Sequence, residues 1–124
     1  MNKILIVEDD HNLGIMIQDM LGFSGYDVML SRKPNDTNEN IIEHNIKLVL
    51  LDKLIFGVDG TDVCAKIRRQ GSISRTPVLM MSALNNAREI CMKAGASDFI
   101  SKPFDMSDLI SKIEHLLHKD ESLQ

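Results

Sequence analysis

The chain has 124 residues, 44% hydrophobic and 26% charged, with a formal net charge of −4. That length and composition suit one globular domain with a single core and exclude a disordered chain. The acidic balance argues against a bare nucleic-acid-binding domain, and no apolar run approaches the roughly 20 residues that span a bilayer.

The first apolar run, Ile4 to Val7, is too short for a secretion signal and is followed at once by Glu8, Asp9 and Asp10. Lys3 to Val7 therefore predicts a strand. Leu13, Met16, Ile17, Met20 and Leu21 recur at helical spacing and predict a helix from about residue 11 to 23, broken by Gly22, Ser24 and Gly25. Tyr26 to Leu30 alternates and reads as a strand. Ser31 to Asn40 is polar and contains Pro34; a weak helix follows through Ile41, Ile42 and Glu43. Leu48-Val49-Leu50-Leu51 reads as a strand buried on both faces, which stops at Asp52. Gly57, Asp59 and Gly60 mark the loop after it.

Thr61 is the expected N-cap of a helix carrying Val63, Cys64 and Ile67, closed by Gly71. Pro77 introduces the strand Val78 to Met81, which ends at Ser82. Asn85 or Asn86 caps a short helix with Ala87, Ile90, Cys91 and Ala94, stopped by Gly95. Asp98-Phe99-Ile100 is a last short strand, followed by Ser101-Lys102-Pro103-Phe104. The final helix carries Met106, Leu109, Ile110, Ile113, Leu116 and Leu117, with Asp105 as N-cap and a polar, frayed tail from Lys119. Cys64 and Cys91 lie within apolar helical patterns and read as buried thiols, so a reducing, cytoplasmic location is expected.

Five strands alternate with five helices, and most strands are continuously apolar. The expected fold is α/β: a five-stranded parallel sheet, doubly wound in three layers, of strand order 2-1-3-4-5. In such a sheet the C-terminal ends of the strands share one edge. That edge collects Glu8 and Asp9 from the first strand, Asp52 from the third, Ser82 from the fourth and Lys102 from the loop after the fifth. Singly, each has an ordinary reading: acids cap helices and turns, serines start turns, lysines are solvated. Jointly they read as chemistry. A divalent cation relieves the repulsion of three carboxylates, and oxygen-only ligands suit Mg²⁺. A carboxylate beside it can attack a phosphoryl group, whose charge the Lys102 ammonium and Ser82 hydroxyl would meet. His11, His44, His115 and His118 fall on predicted helices or helix ends and read as surface residues.

These residues also carry a resemblance. Ile4 to Asp10, Leu48 to Asp52, Asp59-Gly60, Met81-Ser82-Ala83, Gly95 to Asp98 and Lys102-Pro103-Phe104 together resemble the receiver (response regulator) domain of two-component signalling, the CheY-like family with a flavodoxin-like fold. The resemblance covers essentially the whole length. It implies a receiver domain at 1–119; the residues after it, 120–124, read as a short polar tail with no output domain, so the expected output is a protein partner unless the chain is a piece of something longer. It implies Asp52 as phosphoacceptor, Asp9 as direct metal ligand, Glu8 as a ligand through water and Leu54 as a backbone-carbonyl ligand. Mg²⁺ is the implied cofactor, with Mn²⁺ able to substitute. Ser82 and Lys102 would contact the phosphoryl group, Ser82 and Phe99 would form the switch, and Lys102-Pro103 would be a cis peptide.

The implied function is a phosphorylation-controlled switch, not an enzyme on other substrates. A histidine kinase or histidine phosphotransfer protein donates to Asp52. The face of the fourth helix, fifth strand and fifth helix then meets a downstream protein, with a homodimer compatible and neither nucleic acid nor membrane contacted. The sequence departs from the family at Ile55-Phe56, where a Met-Pro pair is usual, at Lys53 beside the acceptor, and in a shortened segment from Ser82 to Lys102 that predicts a truncated fourth helix. These departures motivate one alternative, an interaction module of the same fold that no longer depends on phosphate. A phosphohydrolase with an Asp nucleophile is a further alternative. Glu8-Asp9-Asp10 does not fit its Asp-x-Asp motif, and no cap domain is present.

Overall fold

The computed structural model describes residues 2–122. Along the chain lie β1 (Lys3–Val7), α1 (His11–Phe23), β2 (Asp27–Ser31), a 3-10 turn (Pro34–Asp36) running into α2 (Thr37–Glu43), and β3 (Leu48–Asp52). Two short strands follow, β4 (Leu54–Ile55) and β5 (Val58–Asp59), and then α3 (Gly60–Arg69), β6 (Val78–Ser82), α4 (Ala87–Lys93), β7 (Asp98–Ser101) and α5 (Met106–Ser122). Five of the strands form one parallel sheet in the order β2-β1-β3-β6-β7. This is the expected 2-1-3-4-5 order once the small antiparallel β4–β5 hairpin, which the sequence reading did not foresee, is set aside.

Period-two alternation sorts the strands' side chains onto two faces. Leu5, Val7, Val49, Leu51, Val78, Met80 and Phe99 pack under α2, α3 and α4 through Ile41, Val63, Cys64, Ile67 and Cys91. Ile4, Ile6, Leu48, Leu50, Leu79, Met81 and Ile100 pack under α1 and α5 through Ile17, Leu21, Leu109, Ile113, Leu116 and Leu117. With both faces covered, β3 is buried at all five positions. Each such aliphatic side chain contributes about 1.5–3 kcal/mol. The strand therefore has a fixed register, and its last residue, Asp52, has a fixed position.

Several local expectations shift. The second strand lies one residue later than Tyr26–Leu30, at Asp27–Ser31. The polar run before Ile41 is ordered by Pro34, which opens the 3-10 turn, and by Thr37 Oγ1 donating to the Pro34 carbonyl at 2.7 Å. The cap of α3 is Asp59 rather than Thr61: its Oδ1 accepts from Thr61 N and Oγ1 at 2.9 and 2.8 Å, and the helix ends at Arg69 with Gln70 as its C-cap, one residue before Gly71. α4 is short as expected, seven residues, and its cap is Asn86, one of the two expected, held left-handed (φ 66°) with no side-chain cap bond. α5 continues to Ser122, past the expected fraying at Lys119; the end of the expected tail, residues 123 and 124, lies outside the described residues. Cys64 and Cys91 are free and buried, as expected, and burial pushes the Cys91 thiol up to about 11. No helix among the described residues is long and apolar enough to cross a membrane.

The edge of the sheet opposite the acidic cluster is tied by one side chain. Arg68 at the end of α3 donates from Nε to the Gly95 carbonyl at 2.8 Å, from Nη1 to the Ser74 and Thr76 carbonyls at 3.1 and 2.7 Å, and from Nη2 to Ser97 Oγ at 3.2 Å. Gly95 has φ 110°, and a Cβ there would sit 2.8 Å from Arg68 Cγ, so the fork needs glycine beneath it. Replacing Arg68 by Met leaves three carbonyls without their charged donor. The substitution should lower the unfolding free energy by about 2–3 kcal/mol, read as a lower urea midpoint at unchanged slope. An unchanged midpoint would contradict this role.

Candidate functional site

At the C-terminal edge of the sheet, five side chains from four strand ends share one cleft. β1 ends at Val7, which delivers Glu8 into the interior, 1% exposed, and leaves Asp9 at the rim. β3 delivers Asp52, 7% exposed. β6 pairs with β3 so that Met81 lies opposite Asp52, and Ser82 is the next residue, also buried. Lys102 follows β7, and its peptide to Pro103 is cis.

Carboxylate oxygens of Glu8, Asp9 and Asp52 all lie within 4.8 Å of one another. Unit charges at such distances repel by several kcal/mol in a partly buried setting, so the arrangement needs a counterion. Lys102 supplies one. Its Nζ donates to Asp52 Oδ2 at 2.7 Å and to Glu8 Oε1 and Oε2 at 3.3 and 3.2 Å. Burial alone would lower the Lys102 pKa, but the bonds and charges of Asp52 and Glu8 outweigh it and hold the ammonium above its ordinary value. Glu8 moves the other way. Burial pushes its carboxyl from 4.5 up to about 7, and Asp52 adds to the rise, against the opposing charge of Lys102 and the Asp10 N–H.

Ser82 Oγ accepts from Leu84 N at 3.0 Å, which fixes the oxygen while the hydroxyl proton stays available to a ligand. Leu54 opens β4 with its side chain exposed, two residues beyond Asp52. Phe99 lies away from the cleft, buried among the residues under α2, α3 and α4. The cleft thus gathers Glu8, Asp9, Asp52, Ser82 and Lys102 as the sequence implies, while Phe99 stands behind it.

Three features escaped the sequence. The first is the hairpin of β4 and β5, Leu54 to Asp59. Its two-residue turn, Phe56-Gly57, is left-handed at both positions (φ 50° and 78°), the geometry that twists a tight hairpin correctly. A bulky residue there costs of order 1 kcal/mol. The turn is anchored by fully buried Ile55, by the Arg32 guanidinium 5.0 Å above the Phe56 ring centroid, and by Phe56 N–H donating to Asp9 Oδ2 at 3.0 Å. The second is Gly60, whose N–H donates to the Lys53 carbonyl; a Cβ there would collide with the backbone carbonyl of Asp52. The third is Asp59, which caps α3 and pairs with Lys53 Nζ at 3.5 Å. Burial would raise its pKa, but its bonds from Thr61 and its pairing with Lys53 prevail and hold it below the ordinary carboxylate value. An Asp directly before a helix was the available signal for it.

The raised Glu8 pKa has a stability consequence. Between 4.5 and about 7 the folded state binds more protons at this carboxyl than the unfolded chain does. The Glu8 contribution is therefore fully present below about pH 4.5 and is lost as pH rises through 7, an effect of up to about 3 kcal/mol. In cation-free buffer, Glu8→Gln should remove this part of the pH dependence and be more stable than the native chain at pH 8. Parallel stability–pH curves for the two proteins would contradict the shift.

The comparisons with known proteins point the same way. The family model described as the response regulator receiver domain matches residues 4–114. The response regulator ArlR of Staphylococcus aureus is 31% identical over 121 residues, covering 96% of this chain and 54% of that protein, so the chain spans about half the length of the curated relatives it matches. Among solved structures, the BeF3-activated N-terminal receiver domain of Klebsiella pneumoniae RstA superposes with a TM-score of 0.86 at 30% identity, covering 94% of this chain and 98% of that one. The receiver domain of NtrX from Brucella abortus does so with a TM-score of 0.84 at 28% identity, covering 93% and 98%. The sheet order, the acidic cleft and these matches agree: the chain belongs to the response regulator receiver domains of two-component systems.

Proposed function

We propose that this receiver domain accepts a phosphoryl group on Asp52 and uses it to change the protein it binds. The observation that carries this reading is the Lys102 Nζ contact with Asp52 Oδ2, 2.7 Å, in a cleft that Asp52 shares with the carboxylates of Glu8 and Asp9. An ammonium bonded to one oxygen leaves the other to act as nucleophile. That oxygen attacks the phosphorus of a phosphohistidine on a sensor kinase or phosphotransfer protein. The P–N bond breaks with its electron pair going to the imidazole, and an aspartyl phosphate remains. Lys102 and the Ser82 hydroxyl then donate to the phosphoryl oxygens. Attack by water on the phosphorus later returns inorganic phosphate and free Asp52, so the domain turns over only its own phosphoryl group.

The donor set fits Mg²⁺, or Mn²⁺ in its place: oxygen ligands only, with too much negative charge for one ammonium to balance. Asp9 and Asp52 would hold the ion directly, Glu8 through water and Leu54 by its carbonyl. Bound there, the cation neutralises charge on the phosphoryl oxygens during transfer. Glu8, raised to about 7 and so about half protonated at neutral pH, would give up that proton where a cation is held. The BeF3 in the Klebsiella relative is consistent with this reading, since a beryllium fluoride on a carboxylate oxygen has the shape and charge of a phosphoryl group.

The switch is read from Ser82 to Phe99, which lie on the adjacent paired strands β6 and β7. The face formed by α4, β7 and α5 is the output surface. Exposed Ile90 and Met92 on α4 suit a protein partner better than a nucleic acid, in a cytoplasmic setting. Incubation with acetyl phosphate or phosphoramidate and Mg²⁺ should give a single phosphate mass adduct. Asp52→Asn should give none, and Lys102→Met should form it at least about tenfold more slowly. An equal adduct on Asp52→Asn would overturn the assignment.

A further inference from the structure

The hairpin that replaces an ordinary loop after Asp52 touches the cleft through its backbone. We propose that Phe56 is a positioning residue: its N–H, presented by the left-handed turn and steadied by Arg32, holds the Asp9 carboxylate in place to bind a divalent cation. This rests on the reading of Asp9 as a cation ligand.

The argument starts from what holds each carboxylate. Glu8 and Asp52 are buried and share the Lys102 ammonium, so their oxygens have fixed partners. Asp9 is at the rim, partly exposed, and the Lys102 ammonium does not bond to it. A rim carboxylate beside two others would rotate outward to water. The Phe56 N–H, donating to Oδ2 at 3.0 Å from 47 residues away, opposes that rotation. A carboxylate has about four lone-pair sites, so accepting this bond leaves three for an ion.

The donor's own position is over-determined. Ile55 anchors one side of the turn in the core, β4 pairs with β5, Gly60 N–H closes the base on the Lys53 carbonyl, and Arg32 lies on the Phe56 ring. Only with these supports does a phenylalanine persist at φ 50°. Groups that orient a ligand residue typically alter metal affinity by 10- to 100-fold when removed.

Calorimetry of Mg²⁺ binding to the full chain tests the proposal. Phe56→Pro removes the N–H and should weaken binding by about tenfold or more. Phe56→Asn keeps the N–H and tolerates left-handed backbone, so it should stay within about threefold of the native affinity. Native affinity in Phe56→Pro, alongside loss of binding in Asp9→Asn, would overturn the positioning role alone. Unchanged binding in Asp9→Asn, or no binding by the native chain, would overturn the ligand reading and the proposal with it. Because proline could unfold the turn outright, amide hydrogen exchange gives a second measure. The Phe56 amide should be protected in the native chain and lose at least about tenfold of that protection in Asp9→Ala. An unprotected Phe56 amide in the native chain would overturn the proposal whatever the calorimetry gives.

Discussion

The ammonium of Lys102 between Glu8 and Asp52 is the contact on which the rest of the site depends. Three carboxylates cannot share one cleft without a positive charge. Lys102 meets two of them at 2.7–3.3 Å while remaining partly open to solvent. Glu8 keeps its proton to about neutral pH, so the cation-free cleft carries less negative charge than a count of its carboxyls suggests. The inner strands β1 and β3, which bring the acids, and the edge strand β7, which leads to the lysine, must be held in register for this, and the doubly packed sheet does that.

Around this charge cluster the chain between β3 and α3 acts as a rigid frame. Lys53 N–H bonds to the Met81 carbonyl, Gly60 N–H to the Lys53 carbonyl, and Asp59 caps α3 while pairing with Lys53. The segment that looked least like its family in sequence is therefore one of the most constrained parts of the cleft wall. A glycine at position 60 is required because the helix start passes directly over the Asp52 carbonyl.

The fold and the main cleft residues were legible because they rest on strong, periodic signals. Continuous aliphatic runs fix buried parallel strands, and each strand ends on a chemically distinct residue, so topology alone brings Glu8, Asp9, Asp52, Ser82 and Lys102 together. What was not legible depends on single backbone angles and long-range contacts. Phe-Gly is not the usual composition for a tight hairpin turn; Asn-Gly is. The strain at Phe56 is offset by Arg32 and Asp9, 24 and 47 residues away in sequence, which no local pattern encodes. The same holds for Arg68, which looks like one more surface charge until its four acceptors are seen. Asp59 and Thr61, two residues apart, are both good caps for α3, and only the geometry chooses Asp59 over the Thr61 that the sequence predicts.

The most direct test of the charge balance is the titration of the Glu8 carboxyl carbon by NMR in cation-free buffer, in the native chain and in Lys102→Met. With Lys102 as the shared counterion, removing the ammonium leaves Glu8 facing Asp52 unscreened, and the Glu8 midpoint should move from about 7 to a clearly higher pH. A midpoint that stays where it was, or falls, would contradict the account.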